Sequence, residues 1–288
     1  MNKLAVGPAI RFAYQFTFGQ LGTIIGLIWA PLVLAAILRF LPYGMGDTTL
    51  SPQDDPAAAG AAALRDLIFA LAGVFLYAMV NVAVVRQALG LRTGGAVFHF
   101  SLGRTEFRVF VVTVFLALIL TVLAAVCGLA VLAAANLAGA QAGAAAGGLA
   151  AILVAALGLC VMLVALVRLS FLYVPIAVME NSVNLERGWA LTRGNFWRAG
   201  TVMFVATLPA FAVAASAFIA LAGREFMTLY PLLGHIAPDA LSMRVEAIMD
   251  RHIATLIGVN LIMAPFSLGL TLGAAAYGYR ALAGAPAA

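Results

Sequence analysis

The sequence predicts an all-α polytopic membrane protein: six transmembrane helices, cytoplasmic interfacial helices, and a threefold parallel repeat of helix plus hairpin. Three observations predict it. Of the 288 residues, 65% are hydrophobic and 9% charged, where globular domains are about half apolar and a quarter charged. The apolar residues gather in runs of the roughly twenty that a spanning helix needs. The basic residues stand at the ends of those runs rather than at their centres. A soluble chain this apolar would expose more greasy surface than water tolerates.

The elements follow in order. AIRFAYQFTFGQ (Ala9–Gln20) mixes aromatic rings with Arg11 and reads as a short interfacial helix leading into span one. Span one, Leu21–Tyr43, is too long for a signal-peptide core and closes on no small-x-small cleavage site, so it is read as a membrane helix. Arg39, near its outer end, is accommodated by snorkelling to the headgroups. A polar loop, Gly44–Gly60, carries Asp47, Asp54 and Asp55. Span two runs from Leu64 to Arg86, and AVFHFSLGRTEFR (Ala96–Arg108) precedes span three, Phe107–Ala134. Span four is Gly147–Arg168, joined to span three by the uncharged linker NLAGAQAGAAAGG. NLERGWALTRGNFWR (Asn184–Arg198) precedes span five, Ala199–Ala222. Segments of this kind, with rings and Arg at helical spacing, lie in the membrane interface. An outer insertion, Gly223–His252, ends in DALSMRVEAIMDRH, read as an amphipathic helix on the outer surface with Leu241, Val245 and Ile248 on one face. Span six is Ile253–Arg280.

Charge sets the orientation. The side holding both termini and the 2–3 and 4–5 loops has eleven of the sixteen basic residues but three of the eleven acids. The positive-inside rule therefore predicts cytoplasmic termini. Fifteen of the basic residues are Arg. Their placement at helix ends answers to membrane orientation, so no nucleic-acid partner is inferred.

Phe16–Gly22, Leu102–Arg108 and Leu191–Arg198 lead into spans one, three and five, and the even-numbered spans end alike at Arg86, Arg168 and Arg280. The chain thus divides into repeats 1–92, 93–178 and 179–284. Each has an even number of spans, so all three point the same way, unlike inverted transporter repeats.

Arg168–Phe204, RLSFLYVPIAVMENSVNLERGWALTRGNFWRAGTVMF, resembles a group of bacterial six-span proteins. It is similar to the membrane domain attached to some glycerophosphoryl diester phosphodiesterases and to their stand-alone relatives. The matching features are Arg168, Pro175, Glu180, Trp189 and Thr192-Arg193-Gly194-Asn195. The resemblance implies a six-span membrane domain and carries over no catalytic residue. The attached phosphodiesterase is a separate barrel of roughly 250 residues, for which six spans leave no room, and no His-Arg-Gly element occurs.

Chemistry is sparse. Cys127 and Cys160 are placed at depths about 15 Å apart and read as small buried hydrophobes. His235 with Asp239, or Asp250 with His252, would suit a metal only if the insertion folded back, and reads more simply as solvated loop. His99 lies on the opposite side. Neither a P-loop nor a Gly-x-Ser-x-Gly elbow occurs, and Ser216 and Ser267 have no His at their depth. No cofactor is expected. No ionisable group lies mid-span, where an ion path would need one. Asn81, Thr113, Thr121, Ser216, Asn260 and Ser267 are expected to hydrogen-bond between helices, and Pro31, Pro209 and Pro265 are candidate kinks. The strongest candidate site is an inner basic ring, Arg86, Arg104, Arg108, Arg168, Arg193, Arg198 and Arg280, with Phe107, Trp189, Phe196 and Trp197 beside it. Such a ring suits anionic lipid headgroups or plain topological anchoring. The function expected is that of a non-enzymatic inner-membrane protein, lipid-interacting or membrane-organising, with a protein partner or second copy left open; the alternative is a small-solute or lipid transporter.

Overall fold

A computed structural model describes residues 2–44, 56–92, 100–232 and 238–284. The described residues form nine α-helices and a short 3₁₀ turn, without strands. In order these are α1 (Val6–Gly19), α2 (Leu21–Gly44), α3 (Pro56–Ala88), α4 (Arg104–Ala142), α5 (Ala144–Ser170), α6 (Tyr173–Met179), α7 (Leu185–Thr192), α8 (Phe196–Leu229), the turn Tyr230–Leu232, and α9 (Pro238–Ala283). Six helical stretches are long and apolar enough to cross a membrane: Leu21–Leu38, Ala57–Ala88, Arg104–Ala142, Ala145–Met179, Phe196–Leu229 and Ala240–Ala283. They mark the chain as a multi-pass membrane protein. Most of the Gly44–Gly60 loop, and the stretch containing His99 and His235, lie outside the described residues.

The six long helices pair as three antiparallel hairpins, α2/α3, α4/α5 and α8/α9. The packed core that the hairpins share lies at the end that holds both termini, hereafter the basic end. It takes in the C-terminal part of α3 from Leu76, the first turns of α4 to Leu116, the segment Phe171–Val178, and α9 from Leu268. α6 buries Val174, Pro175, Ile176, Ala177 and Val178 at the centre of this end. Away from it the hairpins share little, and side chains such as Leu129, Ile152 and Leu157 are exposed. A bilayer supplies what these side chains face.

α1 is an integral part of the core. Ala9, Ala13, Phe16 and Thr17, a helical stripe at i, i+4, i+7 and i+8, are buried against α9. The close approach depends on two glycines of α9 in a G-x-x-x-G pattern. A Cβ on Gly269 would stand 2.8 Å from Thr17, and one on Gly273 would stand 2.9 Å from the Phe16 ring and 3.4 Å from the Ala13 Cα. This is the small-residue contact by which helices associate in lipid.

Three expectations change. The linker Asn136–Gly148 is helical: α4 runs 39 residues, about 58 Å at 1.5 Å per residue, and only Gly143, at φ +86°, breaks it from α5. Ala favours helix strongly, and the hairpin zips because a Cβ on Gly147 would lie 2.6 Å from the Ala135 carbonyl. With the turn at Gly143, Cys127 and Cys160 are nearly level rather than 15 Å apart. Cys127 faces Gly158, whose Cβ would come within 3.2 Å of it, while Cys160 is exposed, and both are free. The outer insertion is the end of α8, the turn and the start of α9, which runs unbroken for 46 residues. Leu241, Val245 and Ile248 do share a face, but it packs on Ala222 and Leu229, with Phe218 and Phe226, of α8. A longer α8 gives that face a helix to bury against.

Gly273→Val places a branched side chain between α1 and α9. Overpacking of this kind costs about 1–3 kcal/mol, so the variant is expected to unfold at a clearly lower temperature in detergent. An unchanged melting temperature would show that α1 does not dock there.

Candidate functional site

All seven ring arginines come to the basic end, and five are tied there to protein groups. Arg86, in the last turn of α3, donates to Thr105 Oγ1 at 3.0 Å and to Glu106 Oε1 at 3.4 Å. The Arg168 guanidinium, at the end of α5, lies 4.5 Å from the Trp189 ring centroid. Arg280, in the last turn of α9, donates to the Leu89 carbonyl at 2.6 Å. These contacts close a cycle. Hairpin α2/α3 reaches the start of α4, hairpin α4/α5 reaches α7, and hairpin α8/α9 returns to the end of α3. Arg108 donates to Asn181 Oδ1 at 2.9 Å and Arg198 to the Leu4 carbonyl at 3.1 Å. Arg104 and Arg193 are exposed and engage no partner among the described residues. Of the aromatics, Phe107 and Trp197 are exposed, and Phe196 stacks edge-on with Trp197 at 5.0 Å.

Further polar groups complete this belt. Asn195 clamps the N-terminal segment, its Oδ1 accepting from Leu4 N at 3.0 Å and its Nδ2 donating to the Asn2 carbonyl at 3.0 Å. Glu180 Oε1 accepts from Arg187 Nε at 3.3 Å and Tyr279 OH at 3.1 Å. Gln87 donates to Gln20 at 2.9 Å, joining α3 to the α1–α2 junction. Glu106 and Asn195 are 1% and 3% exposed. Sequence reasoning passed over both as site residues, although a signal existed: they hold the same place before Phe in LGRTEFR and LTRGNFWR. Glu106 Oε2 has no partner and occupies space that a Cβ on Gly103 would need.

The mid-span polar residues divide between two kinds of partner. Ser216 and Ser267 donate to the carbonyls of Ala212 and Ala264 in their own helices, whereas Thr113, which donates to the Val109 carbonyl of its own helix, also bonds across to the Tyr173 side chain of α6. Ser and Thr can satisfy their protons this way wherever the helix runs. Asn81 Oδ1 is buried without any partner.

Two cavities lie where the hairpins diverge. One, of about 190 Å³, is bounded by Tyr77 and Asn81 of α3, Phe171–Pro175, Met203 of α8 and Ser267–Ala275 of α9. The other, of about 300 Å³, lies between α2 and α9, lined by Leu32, Ala35, Asn260 and Leu261, and shares Tyr77, Ser267 and Leu268 with the first. Val174 and Pro175 of α6 floor the first cavity on the side of the basic end.

At the opposite end, His252 and Arg251 both engage Glu225, at 3.0 and 2.8 Å. No cluster of three metal-ligating side chains occurs among the described residues. Fold and belt together define a multi-pass membrane protein with three hairpins laced at one end. No family model, curated protein or solved structure matches the chain.

Removing one partner of a buried ion pair strands the other and costs about 3–5 kcal/mol. Arg86 is partly exposed, so Arg86→Ala is expected near the lower end of that range, read as thermal stability in detergent. Adding Glu106→Leu should recover most of the loss, because no buried carboxylate then remains. A double variant no better than the single one would show that the pair does not carry the effect.

Proposed function

We propose that this chain is a non-enzymatic, lipid-interacting protein of a bacterial inner membrane, with cytoplasmic termini and a membrane-organising role. The observation that carries this reading is the division of labour among the ring arginines. Five are tied to protein groups, leaving Arg104 and Arg193 exposed without a partner among the described residues at the same end, beside Phe107 and Trp197. Rings at headgroup depth and cations facing solvent suit anionic lipid. The closed cycle of Arg86, Arg168 and Arg280 supports three equivalent units, 1–92, 93–178 and 179–284, and α1 and α7 are the helices that would border the interface. The resemblance of Arg168–Phe204 to phosphodiesterase-linked membrane domains fits this role and adds no chemistry to it. A lipid or small-solute transporter is the second reading, favoured by the cavities beside Tyr77. Against it stand the buried α6 residues Val174 and Pro175 in the wall of the first cavity.

The lipid reading is tested with Arg104→Gln and Arg193→Gln together. Each cation near an anionic surface contributes about 1 kcal/mol, so native mass spectrometry in mixed phosphatidylglycerol and phosphatidylcholine should show the anionic preference fall by roughly thirtyfold. Arg224→Gln with Arg244→Gln should leave it intact. Equal preference in wild type and the inner variant removes lipid selectivity at this end.

Orientation is tested by cysteine labelling in a Cys127→Ala, Cys160→Ala background, itself expected to fold normally. An impermeant maleimide applied from outside should modify Asp239→Cys and spare Thr93→Cys. The reverse pattern would invert the topology.

A further inference from the structure

We propose that the two joined cavities form a binding site for a neutral, hydroxyl-bearing lipid, whose hydroxyl donates to Asn81 and whose chains lie between α2 and α9. The site is distinct from the basic belt and needs no anionic headgroup.

The inference starts from hydrogen-bond supply. Asn81 Oδ1 is a strong acceptor, 2% exposed as a residue, with no donor in reach. An orphaned buried carbonyl is costly, and native structures rarely keep one without a partner. The side chains around it cannot readily provide that partner. Ser267 and Thr271 commit their hydroxyl protons to the Ala264 and Ser267 carbonyls, at 3.2 and 2.7 Å. Ser170 commits its proton to Leu166. These oxygens therefore offer acceptor lone pairs to the cavity rather than donors. Tyr77 and Tyr173 also line it, but neither hydroxyl bonds to Asn81 Oδ1, and Tyr173 bonds to Thr113. Pro265 deepens the imbalance: it has no N–H to give the carbonyl of Leu261, four residues back, and Leu261 lines the second cavity.

A cavity rich in acceptors asks for a donor. No acidic side chain lines either cavity, so an ammonium group would bring an uncompensated charge into a low-dielectric site. A neutral hydroxyl avoids that cost. The remaining walls, including Leu32, Leu268 and Leu272, are apolar and suit hydrocarbon. Tyr77, 44% exposed, stands where the cavities meet and brings a polar edge to their junction. Water alone could also donate to Asn81, since 190 Å³ is room for about six molecules at the liquid density of roughly 30 Å³ each. Water and lipid alcohol share the same donor chemistry, and the experiment separates them.

Purified wild-type protein in detergent is incubated with a 1,2-diacylglycerol or with its O-methyl ether, which has the same chains and no donor, and retention is read by native mass spectrometry. A single net hydrogen bond corresponds to a preference of about fivefold for the alcohol. Asn81→Leu, close in size and without the acceptor, should erase the preference while its melting temperature holds or rises. Equal retention of alcohol and ether by wild type overturns the proposal, and so does retention of neither, which would leave a water-filled cavity. The wild-type comparison decides the question even if the variant does not fold.

Discussion

Inside hydrocarbon, apolar side chains gain little by leaving lipid for one another, so helices need another reason to associate. In this molecule that reason is concentrated at one end. Hydrogen bonds that link one hairpin to another gather in the basic belt. Arg86 holds Thr105 and Glu106, Arg280 holds the Leu89 carbonyl, and Asn195 holds the first residues of the chain. The glycine contact of α1 with Gly269 and Gly273 sits in the same half. There, close backbone approach lets dispersion forces do what the hydrophobic effect cannot.

The rest of the architecture follows. With ties at one end only, the long helices are free to separate along their length, each hairpin holding only to itself. The α4/α5 pair persists through Gly139, Gly147 and Gly158, small enough for the backbones to touch. The α8/α9 pair persists through Phe218, Phe226 and Val245, reinforced by Arg251 and His252 on Glu225. A bundle joined at its base and loose above it must open a wedge where the joining stops. The cavities beside Tyr77 and Asn81 occupy that wedge.

How much of this was readable depends on what each feature needs. The six spans were readable because length and apolar content alone decide them, and the basic end was readable because Arg clusters there. The linker Asn136–Gly148 was misread because Gly and Ala signal a flexible loop in water, whereas an antiparallel partner turns the same residues into a close-packed helix pair. The outer amphipathic helix was right in its face and wrong in its neighbour, since nothing in DALSMRVEAIMDRH reveals that α8 extends far enough to cover it. Which of the seven arginines meet protein groups is not readable for a related reason. Arg86, Arg168 and Arg280 are indistinguishable from Arg104 in sequence, and only the fold brings Glu106, Trp189 and the Leu89 carbonyl to the first three. The buried carboxylate of Glu106 and the amide of Asn195 could have been suspected from their shared register before spans three and five.

The hairpins are not equivalent, and their differences shape the cavities beside Tyr77. A symmetric base would leave three similar wedges or one central hole. Two departures prevent that. α6 follows only the second hairpin and fills the centre of the base with Val174, Pro175 and Ile176. Gly269 and Gly273 occur only in the third hairpin and draw α1 against α9, closing that side. Space is left between α2 and α9 and between α3 and α9, where Asn81 faces Ser267 and Thr271. Nothing in the tying of the base requires a polar side chain at that point. An aliphatic residue of similar size would pack there without stranding a carbonyl, so Asn81 carries a cost that the fold itself does not explain. A cost unexplained by folding, set in the wall of a cavity, is the physical reason to place a ligand there.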